Sequence, residues 1–91
     1  MSFEWDDEKR EANIEKHGVD FIRAVKIFLN PVLERRDERE DYGEDRLIAT
    51  GHWQEYFIVV IYTWRGKNRR IISAWKAGRD EKEEYYEAIY G

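Results

Sequence analysis

The pattern of hydrophobic periodicities predicts an α+β fold, with N-terminal helices packed on a mostly antiparallel sheet of four to five strands and a helix at the C-terminal end. Three observations predict it. Apolar residues recur at helical spacing as far as residue 29. Beyond Pro31, the sole proline, the period changes to two. The strand-like runs that follow are joined by links too short for a crossover, which makes neighbouring strands antiparallel and puts the helices on one face of a twisted sheet. The chain has 91 residues, room for one domain spanning residues 1–91. A chain of that size buries only about 60–65% of its extended surface, so its 15% aromatic content must supply much of the core.

Phe3-Glu4-Trp5 alternates apolar and acidic residues and reads as a short edge strand. Asp6 suits a helix N-cap, and Asp7 and Glu8 suit the positive end of the helix dipole. This first helix runs to Lys16-His17, with Gly18 placed to adopt the left-handed terminating conformation. Its apolar content is slight, mainly Ala12 and Ile14, while Lys9, Asn13, Lys16 and His17 share a polar face. Asp20 caps a second helix, in which Phe21, Ala24, Val25 and Phe28 form a buried stripe widened by Ile22 and Leu29. Asn30-Pro31 ends it. Residues 32–36 read as a polar edge strand and residues 37–45, charged and containing Gly43, as a loop. Residues 46–52 form a strand, Trp53-Gln54-Glu55 a turn, and residues 56–64 a strand apolar on both faces, either a central strand covered on both sides or one with a face in the core and the other in a partner interface. Residues 65–68 turn the chain into a strand over 69–76, where Arg70, Ile72, Ala74 and Lys76 alternate with Arg69, Ile71, Ser73 and Trp75. Residues 79–90 form the last helix, with Tyr85, Ala88 and Ile89 near one another.

Composition removes several function classes. The absence of cysteine excludes a disulfide framework, a thiolate metal site and a cysteine nucleophile, and fits a reducing compartment. Two histidines, His17 and His52, cannot make a histidine-rich metal cluster. The longest apolar run has nine residues, too short to span a bilayer as a helix, and the first residues are acidic without an apolar signal core. The expectation is a cytoplasmic protein without a membrane partner. Net charge is −4, which argues against indiscriminate nucleic-acid binding. Residues 65–79, however, carry six cations and no acid, so the other 76 residues carry −10. That segment is either a local seat for a phosphate backbone or an ordinary solvated hairpin.

Three blocks carry a family resemblance: Phe3-Glu4-Trp5-Asp6 with Lys9, Asn13 and Lys16-His17-Gly18-Val19-Asp20-Phe21; Asp41-Tyr42-Gly43-Glu44-Asp45-Arg46; and Arg70-Ile71-Ile72-Ser73-Ala74-Trp75-Lys76-Ala77. In this order they resemble the BrnT family of type II toxin–antitoxin toxins, over residues 3–86. Family members often carry Arg where Trp75 stands and a more basic segment after Ala77. The resemblance implies a RelE-like fold, ribonuclease activity that blocks translation, and no metal or other cofactor. It also implies a BrnA-like ribbon-helix-helix antitoxin, with promoter DNA bound only through that antitoxin, an RNA substrate met free or on the ribosome, and a homodimer as one possible form within the complex.

RNA supplies its own nucleophile, the 2′-hydroxyl. Cleavage by internal attack therefore needs a base, cations around the phosphorane and an acid for the 5′ oxygen, all of which Arg, Lys, His and Glu can provide. Arg70 and Lys76 are the first candidates for phosphate, with a strand-framing role as the alternative. Six residues apart on a regular strand they stand about 20 Å apart, so they would hold different phosphates. His17 is the acid–base candidate, because imidazole titrates near neutrality, or else a helix-terminal cap. Glu44 is a candidate base and Arg46 an anion clamp, unless the two form a local ion pair. Lys16 and Arg79 are candidate RNA contacts, and Trp75 could stack on a base or pack in the core. His52 lacks a supporting neighbour. The rival function is a non-catalytic binding module, either a corepressor or a protein-interaction domain. Direct DNA binding by this chain alone is disfavoured, since no helix carries a basic reading face.

Overall fold

The computed structural model describes residues 2–91. Its elements are β1 (Ser2–Glu4), α1 (Asp7–His17), α2 (Phe21–Ala24), a 3₁₀ segment (Val25–Leu29), β2 (Leu33–Arg36), β3 (Leu47–Trp53), β4 (Tyr56–Arg65), β5 (Asn68–Lys76) and α3 (Arg79–Tyr90). The five strands form one mixed sheet in the order β1-β5-β4-β3-β2. β1 lies parallel to β5 at one edge, and every other pair is antiparallel. β4 is central, and its residues 58–63 are buried on both faces, as their continuous apolar character requires.

Local chemistry places the helices. Asp6 caps α1 by accepting from the Glu8 and Lys9 N–H groups, and Gly18 terminates it at φ 70°. Asp20 caps α2 through the Ile22 N–H. The predicted second helix is not continuous: after one turn it tightens into the 3₁₀ segment. Ile22 and Leu29 point outward, contrary to the wider stripe expected of them, while Phe21, Ala24, Ile27 and Phe28 lie in the core.

The first face of the sheet holds the main core. Val19, Phe21, Ala24, Ile27 and Phe28 pack there on Ala49, Ile58, Val60, Tyr62, Ile71 and Ala74. Gly51 admits this layer, since a Cβ there would lie 2.9 Å from Val32 Cγ1 and 3.1 Å from Ile27 Cβ. A smaller cluster, Ile48, Val59, Ile61 and Ala77 with Phe57, Ile72 and Trp75, occupies the second face. There the structure corrects the one-sided packing. α3 lies on the second face, with Tyr85 against His52 and Phe57 at ring separations of 5.9 Å, and the Tyr85 hydroxyl donates to the Pro31 carbonyl at 2.6 Å. His52 thus has aromatic neighbours that its sequence context did not reveal. Burial holds the Tyr85 phenol up at about 12.

Asn13 departs most from its expected role. Instead of sharing a solvated face it is buried at the α1–β5 contact. Its amide donates to the Val19 and Ala74 carbonyls at 2.9 and 2.8 Å and accepts from the Ala74 N–H at 3.1 Å and the Ser73 hydroxyl at 3.3 Å. One side chain thereby fastens an otherwise polar helix to the sheet.

β5 also breaks its predicted alternation. Ile61 pairs with Ser73 and Tyr62 with Ile71, leaving Ile72 as a bulge. The extra residue shifts the period, so Ile71 and Ala74 share the main core while Ile72 and Trp75 share the second face. No described helix is long and apolar enough to cross a membrane.

Candidate functional site

α3 covers only part of the second face. Beside it lies an open groove of about 750 Å³ lined by Ile61, Ile72, Ser73 and Trp75 from the sheet and by Lys16, His17, Arg39, Arg46 and Lys76. Each lining side chain is placed by a local feature. The Gly18 turn ends α1 so that Lys16 and His17 face the groove, with the His17 ring 6.0 Å from that of Trp75. The bulge at Ile72 puts Trp75 on the groove side of β5. Arg46, just before β3, lies 4.0 Å over the Tyr42 ring and bonds Glu44 at 3.1 Å. A second hollow of about 650 Å³ lies within the loop of residues 36–46, but Asp37, Glu38, Glu40, Asp41, Glu44 and Asp45 line it, which disfavours an anionic ligand.

Five of the eight residues singled out from the sequence therefore meet in one concavity: Lys16, His17, Arg46, Trp75 and Lys76. The other three do not line it. Arg70 lies opposite Thr63 and beside Glu4, whose carboxylate it meets at 3.5 Å. Arg79 is largely exposed and pairs with Glu83 one helical turn away. Glu44 reaches the groove only through Arg46. The basic run of residues 65–79 is thus dispersed. Arg69 sits among Phe28, Tyr62 and Trp64 at 4.4–5.3 Å, Arg70 and Arg79 are paired, and Lys76 alone among the six cations lines the groove.

Arg39 is the groove residue that sequence reasoning missed. Its Nε and Nη2 donate to the two Asp37 carboxylate oxygens at 2.7 Å each, and the Asp37 side chain is fully buried. The only sequence signal was an Asp-x-Arg spacing inside a run of charges that reads as loop. Hydrogen bonding from Arg39 holds the Asp37 carboxyl down at about 2, outweighing the opposite effect of burial. Among the described residues no group of three or more His, Asp or Glu side chains is arranged to hold a metal ion.

Comparison with known proteins agrees with this architecture. The family described as "Ribonuclease toxin, BrnT, of type II toxin-antitoxin system" matches residues 5–81. The crystal structure of the Brucella abortus ribonuclease toxin BrnT is similar at a TM-score of 0.66 and 32% sequence identity, covering 87% of this chain and 99% of that one. No curated protein sequence matches. With the family match spanning most of the chain and a similar fold in the Brucella protein, this chain belongs to the BrnT ribonuclease toxin family of type II toxin–antitoxin systems.

Proposed function

We propose that this chain is an endoribonuclease toxin that cuts RNA by internal attack of the 2′-hydroxyl, without a metal cofactor, and so arrests translation. The observation that carries the reading is the meeting of Lys16, His17, Arg46 and Lys76 around the Trp75 ring on a protein of net charge −4. Lys16, Lys76 and the Glu44-held Arg46 gather basic side chains in one place on a small acidic body, and a phosphate diester is the anion that complements them. Lys76 and Lys16 hold the scissile phosphate and its developing charge. His17 transfers the proton at the 5′ oxygen. Glu44, one hydrogen bond from the groove through Arg46, takes the proton of the 2′-hydroxyl. Trp75 stacks on a flanking base. Arg70 exchanges its half-buried Glu4 partner, a long contact at 3.5 Å, for a neighbouring phosphate, and Arg79 meets the strand further out. A BrnA-like ribbon-helix-helix antitoxin neutralises the toxin, and promoter DNA is reached only through it.

The test is cleavage of RNA by antitoxin-free protein in EDTA, with and without ribosomes. His17→Ala should lower the cleavage rate about 100-fold or more. Lys76→Ala should weaken cleavage while leaving the fold intact by circular dichroism. Intact RNA under both conditions would overturn the reading. One observation favours the rival, non-catalytic role as a corepressor or interaction domain: among the described residues no carboxylate lines the groove itself. Growth arrest on expression, relieved by the antitoxin and lost in His17→Ala, separates the two.

A further inference from the structure

We propose that Arg39 is a further RNA-contacting residue of this groove and that the buried Asp37 is its positioning residue; the inference rests on the reading of the groove as an RNA site. Asp37 grips Arg39 along one edge of the guanidinium, through Nε and Nη2, and also accepts from the Arg39 backbone N–H at 3.3 Å. Two of the five guanidinium N–H donors are thereby used; the other three are not engaged by Asp37, and the Tyr42 hydroxyl is the pair's other polar neighbour. The Arg39 side chain is 57% exposed, lines the groove, and places its Cζ 5.9 Å from the Trp75 ring centroid.

Two costs make this arrangement informative. Burying a carboxylate is unfavourable unless it is fully paired, and pinning an arginine forfeits side-chain rotamer freedom. Arg39 moreover lines the same groove as Lys16, Arg46 and Lys76. An arginine needed only to satisfy Asp37 gains nothing from sharing a groove with other basic side chains, whereas an anion there is attracted by all of them. A planar guanidinium with a free edge matches a phosphate in bidentate fashion, and the adjacent Trp75 face suits the base of the same or the next nucleotide. Asp37 acts only through Arg39, fixing the direction of that free edge.

The decisive variant is the double substitution Asp37→Asn, Arg39→Gln. It keeps the protein's net charge, leaves no buried charge unpaired, and preserves amide hydrogen bonding between the two positions. Its binding to a short fluorescent RNA with 2′-O-methyl groups, which internal attack cannot cut, is measured against salt concentration. Affinity should fall about tenfold, and the slope of log affinity against log salt should shrink by about 0.7, the loss of one single-strand phosphate contact. Arg39→Lys keeps the charge but loses the fork, so it should retain the wild-type slope with affinity weakened severalfold, and it carries the test if the double variant does not fold. Wild-type affinity and slope in the double variant, or wild-type affinity in Arg39→Lys, would overturn the role of Arg39. Failure of the wild-type protein itself to bind this RNA would instead overturn the reading of the groove.

Discussion

Two buried polar side chains, Asn13 and Asp37, carry more of the architecture than their sequence contexts announce. Asn13 is legible only as one polar position among several on a helix, because its partners, Val19 and Ala74, are fixed by tertiary contact. Replacing it by Ala would leave two carbonyls and the Ala74 N–H buried without partners, at about 1–3 kcal/mol for an unsatisfied group. Asn13→Ala should therefore lower unfolding stability by about 2–3 kcal/mol in denaturant titration, and a loss below 0.5 kcal/mol would contradict the anchoring role. Asp37 makes a prediction about pH. Its carboxyl is held at about 2 against an ordinary 3.8, chiefly by hydrogen bonding from Arg39. A depressed carboxylate contributes stability that is fully present above the unfolded-state value and is lost as pH falls through the folded one. The gap in melting temperature between wild type and Asp37→Asn should accordingly be widest above pH about 4 and close toward pH about 2. A gap unchanged over that range would show that the carboxylate charge contributes nothing. Five candidate groove residues were legible by residue type and resemblance, but Arg39 was not, since a guanidinium aimed by a buried partner leaves no periodic trace.

At the scale of elements, caps and hairpins were readable because their causes are local. Asp6, Asp20 and Gly18 act where the sequence places them, and α3 begins at Arg79, where the Glu81 side chain accepts from the Gly78 N–H at 2.7 Å. What could not be read were the departures imposed by neighbours. α2 tightens into a 3₁₀ segment that seats both Ile27 and Phe28 in the core, which helical periodicity does not show. The bulge at Ile72 lets β5 serve both cores, and a strict period of two conceals it. Gly51 tests the packing of β3 under the 3₁₀ segment. Gly51→Ala would drive a methyl group into Ile27 and Val32, and its overpacking should cost about 1–3 kcal/mol in thermal or denaturant unfolding. A neutral or stabilising substitution would mean that this layer is looser than described.

Across the whole molecule, charge and topology act together. The linear cluster of cations at residues 65–79 pointed to a phosphate seat, yet the fold spends most of it elsewhere and builds the basic groove from the end of α1, the loop after β2, the start of β3 and the end of β5. Composition could show that cations were present; only the β1-β5-β4-β3-β2 order, with α1 on β5 and α3 set aside on the second face, brings these together. In the proposed function, this groove cleaves RNA through the substrate's own 2′-hydroxyl. The most direct measurement is digestion, in EDTA, of an RNA and of its counterpart carrying one 2′-deoxynucleotide at a mapped cut. Internal attack leaves 2′,3′-cyclic phosphate ends on the first and protects that single linkage on the second. Equal cutting of both, or no cutting of either, would contradict it.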